Sequence, residues 1–207
     1  DGYRIRWFTP TTEVDLCGHA TLAAAYVIFN EIDKSVEKIK FYSNSGELNV
    51  TRDSDLITLN FPSLPPNISK KPEKVVSAFN IEPMEVFEAD DYLLIYENQE
   101  QIENINPDLN LLREIDLRGV IVSTPGNDCD FVSRFFAPKY GIDEDPVTGS
   151  AHCTLTPYWS EKVKKKKLHA KQLSKRGGEL FCELKLYSVS ISGKAVLYLI
   201  GEIEIHL

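Results

Sequence analysis

A motif that occurs twice constrains the fold of this chain more than any other feature of its sequence. The first copy is RWFTP at residues 6–10, followed after a spacer by EVDLCGHA at residues 13–20. The second copy is RFFAP at residues 134–138, followed by EDPVTGSA at residues 144–151. Both read arginine, aromatic residue, phenylalanine, small residue and proline, and then glutamate, three residues, a small polar residue, glycine, a polar residue and alanine.

A second similarity follows each copy at nearly the same distance. Residues 43–48 (SNSGEL) resemble residues 174–180 (SKRGGEL). The offset is 131 residues between His19 and Ser150, and 132 residues between the Gly-Glu-Leu segments. Two similarities at one offset predict an internal duplication, and therefore two lobes related by a pseudo-twofold axis.

The two halves differ in the length of chain ahead of the motif. Residues 67–133 precede Arg134, whereas only residues 1–5 precede Arg6. We therefore expect a complete first lobe to need roughly 60 further residues upstream of this sequence. The predicted division is an incomplete amino-terminal lobe at residues 1–66, completed by a last strand at 202–207, and a carboxy-terminal lobe at residues 67–201.

The residues after each motif copy predict a central helix. Residues 18–30 and 149–162 are apolar nearly all round, and such helices are buried. Alternating apolar and polar residues predict antiparallel strands at 38–43, 47–52 and 55–61. The alternation from 178 to 207 predicts further antiparallel strands, joined at 192–193 and 201. We therefore predict an α+β fold of two pseudo-symmetric lobes, each a mostly antiparallel sheet rolled around a central apolar helix.

Shorter elements are expected between the two motif copies. Short helices are predicted at 72–79 and 108–115, and strands at 84–88, 91–97, 119–123 and 130–136. The segment SLPPN at residues 63–67 has the composition of a linker between the lobes.

The composition excludes several classes of function. A net charge of -8 argues against a general nucleic-acid binder, and no apolar run is long enough to cross a bilayer. The four cysteines show neither CxxC pairing nor a metal-binding spacing with histidine, so we predict no metal site. Unpaired cysteines are typical of reduced thiols, which predicts a cytoplasmic protein.

Each motif copy places a small polar residue and a glycine directly before a predicted helix. The first turn of a helix carries unpaired N–H groups and the positive end of its dipole, which suits a carboxylate or an oxyanion. The predicted substrate-binding residues are Cys17, Gly18, Ala20, Thr148, Gly149 and Ser150. The alternative interpretation is ordinary helix capping by Thr148 and Ser150.

His19 and Asp145 are the side chains that we predict to transfer protons. They lie in the corresponding loops of the two copies, and a carboxylate facing an imidazole can move a proton at a carbon next to a carbonyl. The alternatives are a structural histidine and a loop-capping aspartate. Glu13 and Glu144 are the second choice of carboxylates, and as a repeated pair they are expected to brace the two loops.

The two motif copies look like the two signature loops of the PhzF-like phenazine-biosynthesis family. The segment from Gln172 to RGGEL at 176–180 resembles a further family segment, so the resemblance covers nearly the whole chain. It implies the diaminopimelate epimerase fold, an acid/base isomerisation without metal or cofactor, and a homodimer. It also implies that His19 and Asp145 are active-site residues, and that Gly18, Gly149 and Ser150 line the substrate-binding helix starts.

Two departures from related patterns leave alternatives open. Epimerases with this fold use two cysteines, and here Cys17 matches the first while Thr148 stands at the second. The catalytic glutamate of the PhzF-like family lies upstream of the first motif, in a stretch that this sequence does not contain. The leading hypothesis is a cofactor-independent isomerase acting on a small carboxylate-bearing substrate. The alternatives are an inert relative that binds a protein partner, and an amino-acid epimerase or racemase.

Overall fold

The computed structural model describes residues 2–8, 13–44, 46–202 and 204. The strands are β1 Tyr3–Arg4, β2 Trp7–Phe8, β3 Glu13–Val14, β4 Lys38–Ser43, β5 Gly46–Asp53, β6 Leu56–Pro62, β7 Asn67–Ile68, β8 Glu85–Glu88, β9 Tyr92–Ile95, β10 Val120–Pro125, β11 Phe131–Phe136, β12 Lys167–Gln172, β13 Gly178–Leu184 and β14 Ser188–Gly193. The α-helices are α1 Gly18–Val27, α2 Glu73–Ser77, α3 Gln99–Asn104, α4 Leu109–Arg113 and α5 Gly149–Val163. A π-helical turn, Ile28–Ile32, extends α1, and a 3₁₀ turn covers Pro138–Tyr140.

One sheet runs through both halves of the described chain. Its strand order is β1-β4-β5-β6-β14-β13-β12-β11-β10-β9-β8-β7, and β2 pairs with β3 separately. The halves join where β14 pairs antiparallel with β6, from Ser188 opposite Pro62 to Gly193 opposite Ile57. Among the residues that the structure describes, only β1–β4, β9–β10 and β11–β12 are parallel pairs. The predicted α+β class, with mostly antiparallel sheets rolled around central helices, is confirmed.

The duplication is visible in a pair of equivalent ion pairs. The Arg6 guanidinium donates two hydrogen bonds to the Glu13 carboxylate, at 2.9 and 2.8 Å. The Arg134 guanidinium donates two to Glu144 in the same arrangement, at 2.7 and 3.0 Å. Each bidentate pair joins the arginine at the start of the motif to the glutamate that follows the spacer, which is the bracing expected for the two glutamates.

The central helix of the second lobe, α5, is buried on all sides. All ten residues from 151 to 160 of α5 are buried, in contact with both halves of the sheet. Trp159 stacks on Phe131 with ring centres 5.7 Å apart, and its indole N–H donates to the Ser123 hydroxyl at 2.9 Å. A second core lies under α2, α3 and α4, where Phe79 and Phe136 meet edge to face.

The first helix is covered on one side only, so the prediction that it is buried is wrong for the described chain. In α1 only Thr21 and Ala25 are buried, and Val27 is 42% exposed. Strands β4 to β6 cover one side of the helix, while β1 and β2 are two residues long. An apolar helix pattern predicts burial only where enough sheet surrounds the helix.

The strands predicted after β14 are absent from residues 194–202. The connection between β13 and β14 lies at residues 185–187, rather than at 192–193 as the alternation predicted. Both edges of β14 are already paired, with β13 and with β6, so the chain after Gly193 cannot fold back onto β14 as a further strand. Val196, Tyr198 and Leu199 are consequently more than 70% exposed. The predicted last strand at 202–207 lies largely outside the described residues.

The shorter predicted elements are present with shifted ends. Helices appear at Glu73–Ser77 and Leu109–Arg113, and the four predicted strands appear as β8 to β11. Helix α3 and strand β12 were not predicted, because a six-residue polar helix and a lysine-rich strand carry weak periodic signals. Within the described ranges, no helix has the length and apolar character that a bilayer crossing requires.

Candidate active site

The starts of the two central helices meet at the pseudo-twofold axis. Gly18 begins α1 and Gly149 begins α5. A Cβ atom on Gly18 would lie 3.4 Å from the Gly149 Cα, and one on Gly149 would lie 3.6 Å from the Gly18 Cα. The absence of side chains at both positions therefore lets the two backbones touch. The structure brings the six predicted substrate-binding residues together around this contact.

Neither helix start is capped by a side chain. The N-cap residues Cys17 and Thr148 make no side-chain hydrogen bond to the first turn. Two shorter helices, α3 and α4, are capped: Asn98 accepts from the Gln101 N–H, and Asp108 accepts from two N–H groups of α4. The alternative of ordinary capping by Thr148 is therefore not what the structure shows, and the dipole ends of α1 and α5 keep N–H groups available to an anion.

His19 lies in the first turn of α1 and reaches across to the loop before α5. Its Nδ1 lies 3.0 Å from the Val147 carbonyl oxygen, so this nitrogen donates. Its Nε2 lies 3.6 Å from the Cys17 Sγ. The hydrogen bond with Cys17, helped by the negative charge of Asp145 and the Val147 carbonyl, raises the pKa of His19 to about 9. The imidazole is consequently protonated near neutral pH and can act as an acid.

Asp145 is held by a polar network in the second lobe. The Thr148 hydroxyl donates to its carboxylate at 2.5 Å, and the Gln172 amide donates to its carbonyl at 2.8 Å. The Gln172 side-chain oxygen accepts from the Thr148 N–H at 2.8 Å. Gln172 is 1% exposed, so this amide fixes both Asp145 and the residue before α5.

The remaining predicted residues lie around these two side chains. Ala20 and Ser150 are half-buried in the first turns of α1 and α5. Cys17 is also half-buried, and its sulfur contacts His19. Thr148 is buried, and its hydroxyl is directed toward Asp145.

Sequence reasoning missed two contributors to this arrangement. Gln172 was noticed only as part of a resembling segment, although a glutamine at a buried position of an alternating strand signals a hydrogen-bonding role. The Val147 carbonyl, which orients His19, carries no side-chain signal at all.

The site can combine anion binding with proton transfer. Two uncapped helix starts offer N–H donors, while an imidazolium and a carboxylate flank them. Among the described residues, no group of three or more His, Cys, Asp and Glu side chains is placed to hold a metal ion.

Comparison with known proteins relates this arrangement to one family. The sequence matches the family described as phenazine biosynthesis-like protein over residues 1–201. A protein of Pseudomonas aeruginosa named as an uncharacterized isomerase is 47% identical over 206 residues, covering 99% of this chain and 79% of that protein. The human phenazine biosynthesis-like domain-containing protein is 36% identical over 220 residues, covering 96% of this chain and 76% of the human protein.

Solved structures agree with the sequence comparison. The crystal structure of a PhzF family protein from Enterococcus faecalis matches with a TM-score of 0.94 at 42% identity, covering 98% of this chain and 78% of that one. A probable proline racemase from Agrobacterium radiobacter matches with a TM-score of 0.65 at 10% identity, over 98% of this chain and 72% of that one, and so shares the fold alone. This chain, with two similar lobes whose helix starts meet, belongs to the phenazine biosynthesis-like family.

Proposed function

We propose that this protein is an isomerase that moves a proton by acid/base catalysis on a small carboxylate-bearing substrate. The observation that carries the proposal is the contact between two uncapped helix starts, bridged by His19. Relatives named as isomerases support the class of reaction.

The substrate carboxylate would bind at the helix starts. Gly18 and Gly149 bring the two first turns together, and neither N-cap side chain competes for their N–H groups. Ser150 and Ala20 occupy those first turns and would line the bound acid. The dipoles of both helices favour the negative charge there.

Proton transfer would involve His19 and Asp145. His19 is protonated near neutral pH because its pKa is raised to about 9, which suits it to donate a proton to a carbon or oxygen of the substrate. Asp145, held by Thr148 and Gln172, would accept a proton on the other side of the pseudo-twofold axis. Transfer between two carbon positions changes the place of a double bond and needs no net oxidation.

The decisive experiment measures solvent deuterium entering a substrate. The protein is incubated in D₂O with cyclic and acyclic β,γ-unsaturated carboxylic acids, and deuterium at the allylic carbons is read by NMR. We expect H19N and D145N to lower the exchange rate by at least about 100-fold. H169N and D143N are matched controls, because they change a half-buried histidine that pairs with Glu179 and an exposed aspartate that pairs with Arg113. Unchanged exchange in H19N and D145N would refute the assignment.

Further properties belong to the same proposal. The active cleft would lie between lobes at residues 1–66 and 67–201, and the enzyme would act as a cytoplasmic homodimer without cofactor. Activity that survives dialysis against a chelator, together with a dimer mass by light scattering, would support these points. Epimerisation of free amino acids in the same D₂O assay would favour the epimerase alternative instead.

A further inference from the structure

The turn between β12 and β13, residues 173–177, lies at the same end of the second lobe as the candidate site. Strand β12 runs back along α5, so its carboxyl end returns to the start of that helix. Two contacts fix this position: the Ser174 hydroxyl donates to the Pro146 carbonyl at 2.8 Å, and the Gln172 side chain accepts from the Thr148 N–H. A Cβ on Gly178 would lie 2.3 Å from a Val147 methyl, so the turn packs directly against the loop after Asp145.

The turn holds its shape through its own hydrogen bonds. The Gly177 N–H donates to the Ser174 hydroxyl at 3.0 Å. Gly177 has a φ of 71°, a conformation that glycine adopts without strain. These features fix the backbone of the two residues between Ser174 and Gly177, which are Lys175 and Arg176.

Lys175 and Arg176 carry two positive charges that no described residue neutralises. Neither side chain makes an ion pair or a hydrogen bond within the described ranges. The neighbouring cations are paired: Lys171 with Asp128, and Arg134 with Glu144. In a chain of net charge -8, two unpaired cations on one turn make a local positive field.

The first lobe has no such charges at the equivalent place. The corresponding turn reads SNSG at residues 43–46, whereas the second reads SKRGG at 174–178. The duplication thus kept the turn but placed the basic residues on one side of the pseudo-twofold axis only.

A cavity of about 420 Å³ lies between this turn and the loop before α5. Its lining residues are Glu144, Pro146, Ser174, Lys175 and Arg176. The Glu144 carboxylate is held bidentately by Arg134, so the lining keeps a net positive charge. Pro146 belongs both to this cavity and to the loop that carries Asp145 and the helix start.

We propose that Lys175 and Arg176 form a subsite for a second acidic group of the substrate. This inference rests on the proposed function, because the first carboxylate is taken to bind at the helix starts. The substrate would then be a diacid, with one acidic group at the helix starts and the other at the β12–β13 turn. Arginine and lysine bind carboxylates through charge-assisted hydrogen bonds, which are stronger than neutral ones.

The test compares acids that differ in one charge. Succinate, glutarate and adipate, each beside its monoamide, are titrated into the protein by calorimetry and by NMR of the His19 ring. We expect at least one diacid to bind about tenfold more tightly than its monoamide, and the double variant K175Q/R176Q to abolish this preference. The control K164Q/K166Q removes two exposed lysines at the opposite end of α5, and is expected to keep the preference.

The outcomes separate this inference from the proposed function. Absence of a diacid preference, its persistence in K175Q/R176Q, or its equal loss in K164Q/K166Q would overturn the subsite. A preference that depends on Lys175 and Arg176, in a protein whose deuterium exchange survives H19N and D145N, would support the subsite while refuting the assigned chemistry.

Discussion

The central helices of the two lobes begin with similar motifs but lie in different surroundings. In α5 every residue from 151 to 160 is buried, whereas in α1 only Thr21 and Ala25 are. The difference follows from the sheet: among the described residues the second lobe includes β7 to β10, whereas β1, β2 and β3 of the first lobe are two residues long each. The shared motif therefore specifies the helix start, and the surrounding strands decide how much of the helix contributes to the core.

The largest expected effect comes from shortening a buried side chain of α5. Leu155 is fully buried, so L155A is expected to lower the free energy of unfolding by about 4 kcal/mol. Its matched variant in α1, V27A, shortens a side chain that is 42% exposed and should cost below about 1 kcal/mol. Urea unfolding measures both. Equal losses would show that α1 is as well packed as α5.

The paired arginines provide the next comparison. The Arg134 side chain is 13% exposed and also donates to the Ile102 and Ile105 carbonyls. R134M is expected to lower the free energy of unfolding by about 3 kcal/mol, because it leaves Glu144 and two carbonyls without their donor. R6M breaks the equivalent ion pair at a site where the Arg6 side chain is 49% exposed. Its decrease in the free energy of unfolding should therefore be much smaller. A larger loss in R6M than in R134M, measured by urea unfolding, would contradict this ranking.

One pair of equivalent positions predicts an acid-sensitive second lobe. His152 donates to the Thr148 carbonyl at 2.8 Å, and Thr21 donates to the Cys17 carbonyl at 2.7 Å in the same place. Burial lowers the pKa of His152 to about 4, while the unfolded value is 6.5. The unfolded state binds the extra proton between these values, so stability falls by roughly 2–3 kcal/mol as pH drops from 6.5 to 4.

Substituted proteins isolate this acid sensitivity. H152N keeps a donor for the Thr148 carbonyl but cannot titrate. The loss of folding stability between pH 6.5 and 4 should therefore be smaller in H152N, by the contribution of His152. H169N, at a half-buried position of β12, should keep this loss of stability. Unfolding curves recorded at several pH values measure the difference. If the free energy of unfolding of H152N depends on pH as strongly as that of the unsubstituted protein, the prediction is wrong.

The smallest expected effect lies at alkaline pH and concerns the first lobe. The folded pKa of His19 is raised to about 9, mainly by the hydrogen bond with Cys17. A raised pKa stabilises the fold fully below pH 6.5, and this contribution is lost as pH rises through 9. His19 is exposed, so the change is modest.

The Cys17 contribution can be removed without touching the histidine. We expect C17A to lower the His19 pKa, and C153A, at a buried thiol of α5, to leave it unchanged. NMR titration of the His19 ring measures both. A His19 pKa that does not move in C17A would show that Asp145 and the Val147 carbonyl are sufficient to raise it.

Aligning the two motif copies shows that the polar residues of the site are not the same in the two lobes. His19 aligns with Ser150, and Cys17 aligns with Thr148, so the imidazole belongs to one lobe only. Asp145 aligns with Val14, so the carboxylate belongs to the other. The lobes thus share their backbone arrangement, and each contributes one of the two side chains proposed to transfer protons.

The sequence by itself determined the duplication, the two helix starts and most strands, and it predicted His19 and Asp145 as the proton-transfer residues. Local sequence patterns indicate these features: a repeated motif, an apolar run, and an alternation of apolar and polar residues. The sequence also indicated that Glu13 and Glu144 have equivalent bracing roles, because each follows an arginine at a comparable place in its motif copy. In the structure each glutamate accepts hydrogen bonds from that arginine.

Only the tertiary structure decided which distant residues meet and which strands find a partner. The Gln172 amide reaches Thr148 across 24 residues, and His19 reaches Val147 across 128, at positions that no local pattern connects. The alternating tail from 194 to 200 forms no strand, and it cannot fold back onto β14, which is already paired on both edges. Alternation shows which face of a strand could be buried, whereas a strand forms only where a neighbouring edge offers hydrogen bonds.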